Sequence, residues 1–417
     1  MDDILYNELP CVAYLEKYIL FSPYNQKLVS LSKQQLKDNS VRKNLEALGF
    51  FGKPELLYKK SKTSKIILST TYDCNLFCKY CFVKGGERKI YMSKNLALAA
   101  LNTTLKNDID RIIVHFFGGE PTLNFNVLET CVNFLKDKGV QTEFEITTNG
   151  IVNDKKIDYL LNKNFLFSVS LDGPPDIQNY HRPTAHNSES YSKVVSTIKR
   201  VLSNTDELRI RTTITSKSVE RMDEIVEHFH GLGISFIHFE PFIPFGRGDL
   251  FSNLKPDVDK YCENFIKSMD KAKELGMKIT DFSIFSLLNP TRQRCFTLYK
   301  NRFVVTPDNK ITFCLGVQEG CGKISEIFSI GEYKEGDDIL KCDFGKINRL
   351  MKYFSVDKIR KCKDCFAKYL CCGVCPAHNA LKTGNPHIVD DFSCKIRKVL
   401  IKEAIIRMWK QSSKMER

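Results

Sequence analysis

From Lys65 to Phe242, short apolar runs alternate with stretches whose apolar residues recur every three or four positions. That is the rhythm of strands alternating with amphipathic helices. The runs Ile66–Thr70, Ile112–Phe117, Glu143–Thr147, Phe165–Leu171, Arg209–Ile214 and Ile234–Phe239 predict six strands. Between them, Leu98, Leu101 and Leu105, then Leu128, Cys131, Val132 and Leu135, then Val194, Val195 and Ile198, then Ile225, Val226 and Phe229 each mark one buried helix face. Strict alternation predicts an α/β fold, a parallel sheet with helices outside. Six units fall short of the eight that close a full barrel. The expected form is therefore an open, partial (β/α)6 TIM-like barrel, with functional residues at the C-terminal strand ends.

The barrel is placed at residues 64–245. Residues 1–63 form an N-terminal piece too short for much core of its own. It is expected to be a cap packed on the barrel, or alternatively a peptide-binding module, as Phe21-Ser22-Pro23-Tyr24-Asn25 suggests. A bridging helical region follows at 246–294, opened by the loop Gly246-Arg247-Gly248 and containing a helix from about Val258 to Leu275. Residues 295–400 form a cysteine-rich domain, and 401–417 a basic C-terminal helix. Within the cysteine-rich part, Pro307-Asp308-Asn309 is a turn between Phe303–Val305 and Lys310–Phe313, which predicts a hairpin.

A chain of 417 residues, 42% hydrophobic and 27% charged, has the composition of a folded protein and excludes a disordered or collagen-like one. No run approaches the roughly 18 apolar residues a membrane helix needs, and Met1-Asp2-Asp3 lacks the basic start of a secretory signal. A cytoplasmic protein with no membrane partner is expected. The net charge of +14 is spread among acids, with no basic stripe interleaved with aromatics, so nucleic acid is not an expected partner. An acidic peptide suits the surplus equally well. Sixteen cysteines in a chain this long point to metal rather than to disulfides.

Directly after the first strand, Cys74, Cys78 and Cys81 form a C-x3-C-x2-C loop. Three thiolates this close can hold three corners of one cubane cluster and leave the fourth iron open. Zinc is the rival. A structural zinc site wants four ligands, however, and the next cysteine, Cys131, lies on an apolar helix face.

This loop, ending the first strand of a six-unit barrel, resembles that of the radical S-adenosylmethionine (radical SAM) enzymes. The resemblance implies one [4Fe–4S] cluster on Cys74, Cys78 and Cys81, with S-adenosylmethionine as cofactor. Phe117-Gly118-Gly119-Glu120-Pro121 matches the segment that receives the methionine ammonium through backbone carbonyls and a carboxylate. Ser170-Leu171-Asp172-Gly173-Pro174 matches the segment that meets the ribose and carboxylate, and Arg182 would pair with that carboxylate. Thr147, Thr148, Asn149 and Thr213 are read as ribose or substrate contacts, and Tyr80 as the aromatic residue near the adenine. The implied chemistry is hydrogen abstraction by a 5′-deoxyadenosyl radical, fed by an electron donor of flavodoxin or ferredoxin type.

The later cysteines run Cys362-x2-Cys365-x5-Cys371-x3-Cys375, then Cys394, preceded by Cys295 and Cys314. The gaps do not fit paired zinc knuckles. The arrangement resembles the SPASM extension of radical SAM enzymes, which carries two auxiliary [4Fe–4S] clusters and is typical of peptide- and protein-modifying members. By position, Cys362, Cys365, Cys371 and Cys394 would hold the outer cluster, and Cys295, Cys314 and Cys375 the inner one. A fourth inner ligand is left to Cys321, to Cys342 or to substrate. Asn309 stands where the family has a glycine. Leu315 follows Cys314, where sulfatase-maturing relatives carry an aspartate base. His115, His181 and His238 are base candidates by location only, so no catalytic residue is assigned. The resemblance implies a maturase that forms a thioether or carbon–carbon crosslink in a ribosomally made precursor peptide. One alternative is sulfatase-type oxidation of cysteine or serine to formylglycine. Another is an electron-transfer protein, which would have no use for Gly119, Glu120, Asp172 and Arg182 as a cofactor pocket.

Overall fold

The computed structural model describes residues 2–52, 62–281, 290–295, 302–317 and 323–415. The chain divides into two compact units, one of Lys60–Thr280 with Thr297–Asn348, the other of Met1–Lys59, Asp281–Phe296 and Arg349–Arg417. The second unit opens with an antiparallel meander of β1 (Ile4–Tyr6), β2 (Leu9–Tyr14), β3 (Lys17–Ser22) and β4 (Lys27–Leu31). A helix follows, α1 (Asn39–Ala47), started by the Asp38 carboxylate, which accepts from the Ser40 backbone N–H. Strand alternation gives this sheet two apolar faces. Leu9, Cys11, Tyr18 and Leu20 pack against Leu45 and Phe50 on one side, leaving Val12, Ile19 and Phe21 on the other.

The first unit is the barrel. Its repeating elements are β5 (Thr63–Ser69), α2 (Lys94–Leu105), β6 (Arg111–Phe117), α3 (Phe125–Lys138), β7 (Gln141–Thr148), α4 (Asp154–Asn162), β8 (Leu166–Ser170), α5 (Pro175–His181), α6 (Tyr191–Leu202), β9 (Leu208–Ile214), α7 (Met222–Gly231) and β10 (Phe236–Pro241). All six expected strands are present and pair in parallel in sequence order. Right-handed crossovers between successive neighbours put the connecting helices on one face of such a sheet. The residues beneath them, among them Ile66, Leu68, Val114, Phe116, Ile146, Val169 and Ile210, are fully buried. After α8 (Val258–Glu274), a short β11 (Lys278–Thr280) extends the sheet on the β10 edge.

The other edge was not legible locally. β12 (Arg302–Val305) pairs in parallel with β5, from Arg302 opposite Lys65 to Val305 opposite Leu68. It turns through Asn309, at φ 67°, into β13 (Lys310–Thr312), the expected hairpin. The helix α9 (Lys323–Phe328) and strands β14 (Ser329–Glu332) and β15 (Lys341–Cys342) complete an eleven-stranded sheet, ordered β11-β10-β9-β8-β7-β6-β5-β12-β13-β14-β15. The single domain expected at 295–400 is therefore divided, because this parallel pairing draws Thr297–Asn348 into the barrel unit.

The rest of that segment completes the second unit. After α10 (Phe344–Tyr353) come α11 (Lys368–Cys371), α12 (Pro376–Thr383) and α13 (Asp391–Met415). The C-terminal helix thus starts ten residues before the expected 401, and its Ile401, Ala404 and Ile405 form one stripe. That stripe, with Phe366 and Leu370, covers the Val12, Ile19 and Phe21 face of the N-terminal sheet. Ile405 is fully buried there, so Ile405→Ala should destabilise this unit by about 2–5 kcal/mol. The expected reading is an earlier urea midpoint at unchanged slope.

Candidate active site

The cysteine loop leaves β5 as irregular backbone, so its hydrogen bonds must be met from outside. The segment after β6 meets them. Thr70 N–H donates to the Phe117 carbonyl at 2.8 Å, Gly119 N–H to Thr71 at 2.8 Å, and Glu120 N–H to Asp73 at 2.9 Å. The two backbones lie so close that a Cβ at Gly118 would sit 2.4 Å from the Thr71 oxygen, and one at Gly119 2.2 Å from the Asp73 oxygen. Only glycine fits such a contact.

The Glu120 carboxylate, expected from sequence to face an ammonium, is fully enclosed. It accepts from Thr122 N–H at 3.1 Å and Thr122 Oγ1 at 2.7 Å, from Thr148 Oγ1 at 2.9 Å, and from Asn149 N–H at 2.8 Å. Burial raises its pKa, while these donors favour the charged form. Asn149 is thereby fixed with its Nδ2 2.7 Å from Asn75 Oδ1 and 3.5 Å from Cys74 Sγ. Leu76 N–H also points at Cys74 Sγ, at 3.4 Å, and Gly85 N–H at Cys81 Sγ, at 3.2 Å.

The loop is clamped from its other side by Arg247, a residue read from sequence only as part of a Gly-Arg-Gly turn. Only 2% exposed, it donates from Nη1 to the Cys78 carbonyl at 3.1 Å and from Nη2 to Gly85 at 2.7 Å. It pairs with Glu87 at 2.9 Å and lies 3.5 Å over the Phe77 ring. Its own N–H donates to Cys81. Nothing in the local pattern marks it; the loop carbonyls, with Glu87, explain why a cation is buried there.

Asp172, at the end of β8, is a hub. It accepts from Arg182 Nη2 and from Thr213 N–H, each at 3.0 Å, and from the Tyr80 hydroxyl. His181 Nδ1 stands 3.6 Å away, its Nε2 2.8 Å from Thr215 Oγ1. Burial works against the charge of Arg182, but Asp172, Tyr80 and Cys78 offset it and hold the guanidinium protonated. Arg182 Nε is buried with no hydrogen-bond partner. Ser170 and Thr147 lie near the same strand ends, half-buried, and Thr147 Oγ1 meets His115 Nε2 at 2.8 Å.

Below this rim, the sheet face opposite the helices is polar. Lys65 pairs with Glu145 at 2.6 Å, Glu145 stands 3.5 Å from His115 Nδ1, and Arg211 pairs with Glu240 at 3.0 Å. His238 Nδ1 is 3.0 Å from Thr280 Oγ1. Burial lowers the His115 pKa to about 4, although Glu145 acts the other way.

In the second unit, Cys362 is buried among Val356, Ile359, Tyr369, Val374 and Val389, with Cys371 and Cys394 packed against the same cluster. Burial, then Cys371, Cys365 and Cys394, raises the Cys362 thiol to about 12. The structure thus brings together the four cysteines grouped from sequence as one site. Cys295 and Cys375 belong to this unit, Cys314 and Cys342 to the barrel unit, and Cys321 lies outside the described residues. Cys372 donates to the Thr291 carbonyl at 3.1 Å, while Cys11, Cys131 and Cys262 are buried. Among the described residues, no three His, Cys, Asp or Glu side chains close on a single ion.

Residues 68–206 match the sequence profile of the Radical SAM superfamily. The barrel is a radical SAM domain. Such domains use S-adenosylmethionine and a [4Fe–4S] cluster. The radical SAM cyclopropyl synthase TigE of Paramaledivibacter caminithermalis is 24% identical over 369 residues, 82% of this chain and 74% of that one. The cysteine-type anaerobic sulfatase-maturating enzyme of Clostridium novyi is 29% identical over 189 residues, 43% of this chain, and the match spans only half of that enzyme. The solved structure of Streptococcus suis SuiB bound to precursor peptide SuiA shares the fold, with TM-score 0.57 and 15% identity, over 94% of this chain and 99% of that one.

The radical SAM site suits its cofactors. N–H donors face the Cys74 and Cys81 sulfurs, the kind of hydrogen bond that tunes thiolates on an iron–sulfur cluster, and the open Nε of Arg182 offers a bond to a carboxylate. Without iron, burial and then Arg182 and Cys81 set the Cys78 thiol at about 12, so loading must release protons.

Two outcomes follow. Gly119→Ala should push the Asp73 carbonyl away and lower the iron retained by the barrel after anaerobic reconstitution and desalting. His115 should give an acid-side effect. Its unfolded form titrates near about 6.5, so between there and about 4 the unfolded chain binds more protons and stability falls as pH falls. His115→Gln should flatten that slope in melting temperatures.

Proposed function

We propose that this chain is a peptide maturase that removes hydrogen from one residue of a ribosomally made precursor and forms a thioether or carbon–carbon crosslink. The observation that carries the reading is the second thiol group, Cys362, Cys365, Cys371 and Cys394, gathered outside the barrel. Of the thiols, cofactor cleavage would call on Cys74, Cys78 and Cys81 alone. The match to TigE over most of the chain, and the fold shared with a protein bound to a precursor peptide, support it.

When bound, S-adenosylmethionine and the reduced cluster supply a carbon radical able to take one hydrogen atom. The protein's share is placement. The Gly118–Gly119 contact and the Arg247 clamp fix the thiols, and Glu120 fixes Asn149 beside Cys74. Asp172 holds Arg182 and Tyr80 in one arrangement at the rim. The polar face of Lys65, His115, Glu145, Arg211 and Glu240 would orient the peptide. Cys362, Cys365, Cys371 and Cys394 would hold an auxiliary [4Fe–4S] cluster, whose chemistry is to accept an electron or anchor the peptide. A flavodoxin- or ferredoxin-type protein would be the electron donor. The described residues include no helix long and apolar enough to cross a membrane.

The match to the Clostridium novyi enzyme supports a second reading, oxidation of a cysteine or serine in a sulfatase. Mass spectrometry of candidate precursor peptides and of a sulfatase peptide, each incubated with the anaerobically reduced enzyme, separates the two. A crosslinked precursor, about 2 Da lighter per bond from the loss of two hydrogens, is expected; an aldehyde in a sulfatase peptide with an unmodified precursor would favour the alternative. Anaerobically reduced enzyme should also release 5′-deoxyadenosine. Cys78→Ala should abolish that release, whereas Cys371→Ala should keep it and lose the crosslink.

A further inference from the structure

A buried cation in the second unit lacks a carboxylate partner. Arg294 is 4% exposed and, among the described residues, forms no ion pair with an acid. Its Nη2 donates to the Gly373 carbonyl at 3.0 Å, while Nε and Nη1 are buried without an acceptor. Leaving a guanidinium in that state costs several kcal/mol unless an anion is near. The anion is not supplied by its flanking residues: Arg292 is itself a cation, paired with Asp357 and Glu8, and Gln293 has an unpartnered amide.

Arg294 stands close to a thiol. A Cβ at Gly373 would lie 3.5 Å from Arg294 Nε and 3.5 Å from Cys362 Sγ, so the guanidinium and that thiol border the same point beside Gly373. Cys372, Gly373 and Val374 have φ of 56°, 75° and 65°, three left-handed residues in succession. For a β-branched valine this conformation is an outlier, of the kind held in place at functional sites. The strained turn brings the Gly373 carbonyl to Arg294 between the two cysteines that bound it, Cys371 and Cys375.

We propose that Arg294 is the counter-charge of the auxiliary cluster at Cys362, Cys365, Cys371 and Cys394, donating its free N–H groups to the cluster's sulfurs and stabilising its reduced state. The inference rests on the cluster assigned above. It makes Arg294 a positioning and tuning residue, set apart from the residues that cleave the cofactor. A nearby cation favours the more negative, reduced form and so raises the reduction potential.

The test uses the full chain, reconstituted anaerobically with iron and sulfide, in a Cys74→Ala, Cys78→Ala, Cys81→Ala background so that barrel iron does not contribute. Iron per chain and an EPR-monitored redox titration are compared for Arg294, Arg294→Lys and Arg294→Gln. Arg294→Gln should keep the iron and lower the reduced-to-oxidised ratio at fixed potential about tenfold, about 59 mV for one electron. Arg294→Lys, which keeps the charge, should stay near the parent. An unchanged potential in an iron-replete Arg294→Gln chain overturns the proposal. Should Arg294→Gln lose the iron, Arg294→Lys decides: retention of iron and potential supports the counter-charge, and loss in both overturns it. The underlying assignment fails separately, if Cys362→Ala with Cys371→Ala leaves iron per chain unchanged.

Discussion

An irregular loop carrying three thiols holds its place only if something outside it satisfies its backbone. Here that something is the two-glycine segment after β6, pressed against Thr71–Asp73 so closely that no side chain fits. Everything else at the rim is arranged from that contact. It fixes where Glu120 enters the interior, and Glu120 fixes Thr148 and Asn149, which reach Asn75 and Cys74. Arg247 closes the loop from the other side by taking up carbonyls that the glycine contact leaves free. The glycines, read from sequence as a surface for the cofactor, thus have a second reason to be there.

What was legible in the sequence followed from periodicity. The six barrel strands repeat apolar residues that must lie beneath helices, and sequential parallel pairing needs no information beyond neighbouring units. The hairpin after Val305 was legible for a similar reason, since Asn309 accepts the left-handed conformation the turn needs. Pairing between β12 and β5 was not, because it joins segments more than two hundred residues apart and leaves no mark in either. The boundary at Asn348 follows from that pairing.

The candidate site divides in the same way. Cysteine spacing exposes the thiol groups, because a cubane needs several ligands close in sequence. Arg247 and Arg294 stayed hidden, since an arginine beside a loop looks like a solvated charge until the carbonyls or thiols around it are known. Glu120 was found for its position, but its enclosure by Thr122, Thr148 and Asn149 depends on three separate segments meeting. Buried charge is where local pattern says least, because its partners come from distant parts of the chain.

The second unit is sewn from segments far apart in the chain. During translation, Val12, Ile19 and Phe21 leave the ribosome almost four hundred residues ahead of Ile401 and Ile405, the side chains that will cover them. The six strands β5 to β10, which follow one another in order, are all made well before. That apolar face is therefore left without its cover until α13 has been made, and apolar surface left open in this way is prone to aggregate.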